Sequence, residues 1–299
     1  MPKNNVIIVG AGPAGIAAAI QLKRSGLNPI VFEKKCLGGL LNNANLVENY
    51  PGFPGGITGR KLVELFKQQF ESFGIDIKFE KVETVDYKNR LFLVQTESNK
   101  YESQAVIIAS GTKPKQTIEF EISEKIKNRI FYEVVELLDL KQKDIAIIGA
   151  GDAAFDYALN LGRNNNVTIL NRGEKISCLP LLFDRAKTSK SIKYITKTQV
   201  VEIAEDSTNR LLLKCRNDNS DIDIFADYVI LAIGRKVQIG FMTDNIMKYK
   251  KDLEKREILH FVGDVNGQIY RQTSIAVGEA VMAAMKIVYR LNNFRDNLL

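Results

Sequence analysis

The chain has 299 residues, 45% of them hydrophobic and 26% charged, enough for about two domains of roughly 150 residues, each with its own core and no disulfide or metal staple. Disorder and a miniature cross-linked fold are excluded. Forty-two Lys and Arg against 35 Asp and Glu give +7; the basic residues are scattered rather than run into a stripe, so no nucleic acid is expected and an acidic protein partner stays open.

In chain order, the apolar stretch Val6 to Leu22 comes first. Gly10, Gly12, Pro13 and Gly15 interrupt it and no small-residue cleavage site follows, so it does not read as a secretory signal. Ala276 to Tyr289 is too short to span a bilayer and carries Glu279 and Lys286. No membrane association is expected, and the cytoplasm is the default compartment. Cys36, Cys178 and Cys215 are far apart, with no CxxC and no spacing that suits a metal.

The chain repeats itself. VIIVGAGPAGIAAAIQL at 6–22 returns as IAIIGAGDAAFDYALNL at 145–161. Each copy is followed by a β-rich run, NPIVFEK at 28–34 and NVTILNR at 166–172, and later by a strand ending in small residues, AVIIASG at 105–111 and YVILAIG at 228–234. Alternating runs at Leu91–Gln95 and Leu211–Cys215 predict a three-stranded antiparallel meander in each copy. The first copy carries an insertion from Cys36 to Gly74, with a helix between Thr58 and Gly74 in which Leu62, Leu65, Phe66, Phe70 and Phe73 recur at helical spacing. After Gly234 come GDV at 263–265 and an amphipathic helix from about Thr273 to Leu291.

Glycines at i, i+2 and i+5 between a strand and a helix let backbone and helix N-terminus approach a pyrophosphate. Gly10, Gly12 and Gly15 meet that demand, and Glu33 ends the second strand where a carboxylate accepts ribose hydroxyls. The first copy therefore binds a dinucleotide. The second has Gly149, Gly151 and Ala154, the permitted variant, but Asn171 and Arg172 replace the acid, with Lys175 close behind. That suits a 2′-phosphate, and a degenerate site that binds nothing is the alternative. The fold expected is α/β, two Rossmann-like three-layer dinucleotide-binding domains with the second inserted in the first: 1–112 and 238–299 around 113–237.

These residues resemble the low-molecular-weight thioredoxin reductase family over essentially the whole chain. GGLLNNANLVENYPGFPGGITG at 38–59 is similar to that family's flavin loop, and GDV with YRQTSIAVGEA at 270–280 to its closing flavin motif. The resemblance implies FAD in the first copy with the C-terminal segment, NADPH or NADH in the second, and a homodimer. It implies that Gly39, Leu40 and Asn49 approach the flavin, that Asp264 meets the ribityl chain, that Gln272 and Thr273 turn backbone groups to the isoalloxazine, and that Val82 touches adenine. Pro13, Ala14, Lys34, Ala109, Gly111 and Arg271 complete the expected FAD contacts, and Asp152 those of the nicotinamide dinucleotide. From spacing alone Asp264 also reads as a turn or N-cap residue.

The family's redox CxxC should precede the second glycine turn, yet 128–144 reads NRIFYEVVELLDLKQKD and no cysteine lies between Cys36 and Cys178. Thiol-disulfide exchange needs one sulfur to attack and one to resolve, so a conventional thioredoxin reductase is not expected. Phe131 and Tyr132 stand where the pair would be, either stacking on the flavin or packing from a helix face. His260 reads as structural, Cys36 as a small buried residue, and Arg235 with Lys236 as a solvated loop. The expected function is an FAD-dependent oxidoreductase taking hydride from NAD(P)H and passing electrons to a small molecule or carrier. The alternatives are a reductase coupled to an acidic ferredoxin or flavodoxin, which the +7 charge would steer, and a non-catalytic flavin-binding protein.

Overall fold

The computed structural model describes residues 6–116, 122–217, 220–267 and 269–296. They form two compact units: 1–42 with 47–113 and 237–299, and 43–46 with 114–236. The first unit takes its sheet from β1 (Val6–Val9), β2 (Ile30–Phe32) and β3 (Asp76–Lys78), with α1 (Pro13–Arg24) and α2 (Gly59–Ser72) between them. β4 (Val82–Lys88), β5 (Leu91–Thr96) and β6 (Lys100–Ser103) are an antiparallel meander, followed by β7 (Ala105–Ile108) and the short β8 (Thr112–Pro114).

The second unit holds β9 (Ile130–Phe131), β10 (Asp144–Ile148), α3 (Asp152–Leu161), β11 (Asn166–Leu170), α4 (Pro180–Thr188) and β12 (Ile192–Ile195). Its meander is β13 (Thr198–Glu205), β14 (Leu211–Asn217) and β15 (Asp221–Ala226), and β16 (Tyr228–Leu231) completes it. Through β17 (Arg235–Val237) the chain returns to the first unit for α5 (Asp244–Lys255), β18 (Leu259–Phe261) and α6 (Thr273–Asp296).

Both main sheets are parallel, ordered β18-β7-β1-β2-β3 and β12-β11-β10-β16-β9. Each is the doubly wound arrangement that the repeat predicts, with the strand before the glycine turn, β1 or β10, flanked on both sides so that the turn opens at the carboxyl edge. The central strands read as unbroken apolar runs because both faces are covered: Val6, Ile7, Ile8, Ala105, Val106, Ile107 and Ile108 are all fully buried.

In the second unit, alternate residues of one strand serve different cores. Ile145, Ile147, Ile169 and Ile230 pack with Phe155, Tyr157 and Ala186 of the helices, whereas Ala146, Leu170, Val229 and Leu231 pack with Leu211, Leu213 and Cys215 of the meander. The period of two along β10 and β16 thus builds a helix layer, a sheet and a meander layer. In the first unit α1 packs along α6, and Ala18, Ala19, Ala280 and Ala284, none more than 5% exposed, let the two helices approach.

The insertion helix is α2, capped by the Thr58 hydroxyl accepting from Lys61 N–H at 3.4 Å. Leu62 and Phe70 are buried and Phe66 packs partly against the core, but Leu65 is 44% exposed. One position out of register with 62, 66 and 70 suffices to turn a side chain to solvent.

Candidate functional site

In the first unit, β1 ends at Val9 and the chain turns at Gly10, whose φ of +105° favours glycine and whose N–H donates to Phe32 O at 2.8 Å. A Cβ on Gly10 would lie 2.3 Å from Ala109 O, and one on Gly15 would lie 1.8 Å from Gly10 O. Packing alone forbids both. Gly12 differs: a Cβ there would meet nothing within 4 Å. Gly12 is also the N-cap of α1, with no side-chain cap and no acidic residue in the first turn, and Pro13 occupies a position where no N–H is needed. An uncapped helix N-terminus facing open space is what a pyrophosphate requires.

Glu33 follows β2, and its carboxylate accepts from Ala11 N–H and Lys35 N–H, each at 2.9 Å. One oxygen is tied to the glycine turn and the other to its own loop, which holds the carboxylate beside the turn with lone pairs left for hydroxyls. Lys34 is exposed and donates to Gln238 Oε1 at 2.9 Å. Its pKa is lowered, by burial first, with Lys35, Lys113 and Lys81 adding repulsion.

Gly39, at φ +51°, stands so near that a Cβ would lie 3.3 Å from Gly12 Cα, and it opens the 3-10 turn Gly39–Asn43 that contains Leu40. Gly111 has φ +64°, and its carbonyl accepts from Gln238 N–H at 3.0 Å. Asn49 donates to Gln272 Oε1 at 2.8 Å, and Gln272 O in turn accepts from Ala276 N–H, so it precedes Thr273 at the start of α6. Asp264 lies in the 3-10 turn Gly263–Asn266 rather than capping a helix. Ala14 and Ala109 are buried beside the turn, Val82 is 7% exposed, and Arg271 is exposed. The residues of this unit fit a dinucleotide.

The second turn has the same frame with different chemistry. Gly149 has φ +132° and a Cβ would lie 2.4 Å from Ala232 O, while Ala154 is fully buried at the third position. Gly151, the uncapped N-cap of α3, is followed by Asp152, whose Oδ1 accepts from Leu179 N–H at 2.7 Å. Segment 172–179 folds back here, with Ser177 N and Oγ both donating to Ala150 O, at 3.3 and 3.1 Å.

Asn171, expected to face a ribose, is 8% exposed and spends its side chain on this loop. Nδ2 donates to Lys175 O at 3.2 Å and Tyr194 Oη at 2.9 Å, and Oδ1 accepts from Gly173 N–H at 3.1 Å. It shapes the turn on which Arg172 and Lys175 stand exposed.

The segment that the resemblance would give a cysteine pair instead carries Glu133, which sequence reasoning missed. Its carboxylate accepts from Asn43 Nδ2 at 2.8 Å, Tyr157 Oη at 3.0 Å and Arg235 Nη1 at 2.5 Å. Asn43 Oδ1 accepts from Val135 N–H at 3.1 Å. Beside it, Asp156 accepts from Asn45 N–H at 2.9 Å, and Arg163 donates to Asn45 Oδ1 at 2.5 Å. Burial pushes Asp156 up to about 6, with a smaller push from Asp152. The only sequence signal was a pair of acids and a pair of arginines spaced too widely to connect.

Four expectations are corrected here. Arg235 is not a solvated loop residue but pairs with Glu133 at 20% side-chain exposure, because it opens β17, whose pairing with β8 fixes its backbone. Cys36 is exposed, since it lies past the end of β2. Phe131 packs from strand β9 rather than a helix, edge-on to Tyr228 with ring centroids 6.1 Å apart. Tyr132 packs partly into the meander-side core. His260 sits largely buried on β18 with Nε2 3.3 Å from Glu257 Oε2, and burial lowers its pKa. Among the described residues no group of three His, Cys, Asp or Glu could hold a metal ion, and no helix is long and apolar enough to cross a membrane.

The sequence matches the pyridine nucleotide-disulphide oxidoreductase family over residues 4–280. The chain belongs to that family. Among its relatives, thioredoxin reductase of Rickettsia felis is 31% identical over 306 residues, covering 96% of this chain and 98% of that one. The bifunctional thioredoxin reductase/thioredoxin of Mycobacterium leprae is 30% identical over 297 residues; the match takes in 94% of this chain but only 64% of that protein. The crystal structure of Lactococcus lactis thioredoxin reductase in its FR conformation superposes with a TM-score of 0.85 at 25% identity, covering 97% and 100% of the two chains.

Membership gives the class, a pyridine nucleotide-disulphide oxidoreductase related to the thioredoxin reductases, a family that implies FAD and a pyridine nucleotide. The same relatives overturn the expected ferredoxin, flavodoxin or other carrier as partner. They are thioredoxin reductases, named for a disulfide protein, and a net charge of +7 states a sign and not a partner.

Two outcomes follow from these geometries. Gly12→Ala is expected to leave the apoprotein's melting temperature unchanged while weakening FAD retention, read from visible flavin absorbance, whereas Gly15→Ala loses both. Asp156→Asn is expected to stabilise the protein above neutral pH. With the folded pKa raised above the unfolded value, the native state holds the extra proton, so stability is full below about 4 and is lost as pH rises through about 6. The amide still accepts from Asn45 and carries no charge, so chemical denaturation at pH 8 is expected to give a gain of about 1 to 3 kcal/mol that vanishes at pH 4.

Proposed function

We propose that this chain is an FAD-dependent NAD(P)H oxidoreductase whose electrons leave the flavin for an acceptor outside the chain rather than for an internal cysteine pair. The observation that carries this reading is Glu133, clamped by three donors in the segment where such a pair would stand. The thiols present are poorly disposed to replace it. Cys178 packs against the helix-side core of its unit and Cys215 lies in the meander-side core, on opposite faces of one sheet, and burial raises both pKa values. Cys36, though exposed at the surface, has its pKa raised by partial desolvation of the thiol and then by Glu33, which disfavours the reactive thiolate.

In this reading Gly10, Gly12, Gly15 and Glu33 bind the adenosine and pyrophosphate of FAD, and Asp264 with the start of α6 meets the flavin half. Bound FAD supplies the ring that takes hydride from the nicotinamide. Gly149, Gly151 and the N-terminus of α3 hold the nicotinamide dinucleotide, and Arg172 and Lys175 face its 2′ position. With no acid at 171 to repel a 2′-phosphate, NADPH is accepted at least as well as NADH.

The test is the triple variant Cys36→Ser, Cys178→Ser, Cys215→Ser, mixed anaerobically with NADPH while the flavin spectrum is followed. Flavin bleaching at close to the wild-type rate is expected, and no thioredoxin reduction by either protein. Loss of bleaching in a folded, FAD-loaded variant, or steady thioredoxin reduction by the wild type alone, would overturn the proposal. Arg172→Ala is expected to weaken NADPH binding about ten- to a hundred-fold and leave NADH nearly unchanged, as measured by calorimetric titration.

A further inference from the structure

The turn Gly263–Asn266 presents Asp264, and two things determine its course. Gly263, at φ +73°, is wedged between helices: a Cβ there would lie 3.1 Å from Ala14 Cβ at the start of α1 and 3.3 Å from Ala276 Cβ in the first turn of α6. Packing therefore fixes where the backbone runs but not how the peptide is rotated. The rotation is set from α6. Gly263 N–H donates to Glu279 Oε2 at 2.7 Å, and Asn266 Nδ2 donates to Glu279 Oε1 at 3.2 Å. One carboxylate holds both ends of the four-residue turn, and the bonds to it are of the stronger, charge-assisted kind.

We propose that Glu279 is the positioning residue for Asp264: by clamping Gly263 and Asn266 it fixes the orientation from which the Asp264 carboxylate meets the ribityl chain. Glu279 does not itself touch the cofactor. Asp264 is placed within the flavin half of the site and the Gly10–Gly15 turn and Glu33 within the adenosine half, so removing Glu279 weakens recognition of one half alone. This rests on the FAD reading given above.

The experiment is titration of the apoprotein with FAD and, separately, with ADP. For Glu279→Ala the FAD dissociation constant is expected to rise about ten- to a hundred-fold, with ADP binding unchanged. Glu279→Gln is expected to bind both ligands nearly as the wild type does, since its amide oxygen still accepts from Gly263 and its amide nitrogen donates to an Asn266 side chain turned over. Unchanged FAD affinity in Glu279→Ala overturns the inference, and so does equal weakening of FAD and ADP, which marks general support of the unit. Should Glu279→Ala fail to fold, Asn266→Ala removes one of the two bonds, and the absence of any FAD-selective loss there overturns it as well. A wild-type apoprotein that binds neither ligand would instead refute the FAD reading.

Discussion

The contact on which the rest depends is the approach of α1 to the end of β1. Gly15 sits where any side chain would collide with the Gly10 carbonyl, and Gly10 where any would collide with the Ala109 carbonyl. That closeness brings the N-terminus of α1, with about half a positive charge from its aligned peptides, to the carboxyl edge of the sheet with no side chain in the way. Other small residues converge on the same point. Gly39 comes close to Gly12, and Gly263 is wedged against Ala14 and Ala276. Charge is concentrated there by excluding bulk rather than by adding cations.

The second unit repeats the frame but alters what the frame presents. Gly149 and Ala154 preserve the close approach, yet Asp152 and Asn171 are both bonded to segment 172–179. Polar side chains at the mouth of this site thus organise the loop, while the exposed cations stand on it. The carboxylate of Glu133 plays a similar part nearby, since three donors converge on it and it orders residues from positions 43, 157 and 235 around itself. A carboxylate so satisfied is a structural anchor, expensive to remove because its partners would be left unpaired.

The duplication was legible because strand, glycine turn and helix have local signatures, and the same spacing 139 residues apart (Gly10 to Gly149) is not produced by chance. The meanders were legible from alternation at Leu91–Gln95 and Leu211–Cys215. Glu133 and Glu279 were not, because their roles are set by partners that no local spacing ties to them: Asn43 and Arg235 for one, Gly263 and Asn266 across the loop before α6 for the other. Cys36 and Arg235 were misjudged for the same reason, since exposure at a strand end depends on what packs over it. Asn171 stands at the ribose position in the sequence pattern, but its side-chain amide is bonded to Lys175 O, Tyr194 Oη and Gly173 N–H, a set of partners that spacing does not reveal.

In the function proposed above, each unit holds one dinucleotide. Native mass spectrometry of the FAD-loaded protein with added NADPH measures that directly. One FAD and one NADPH on the same chain are expected. A chain that never carries more than one dinucleotide, whichever is offered, would contradict it.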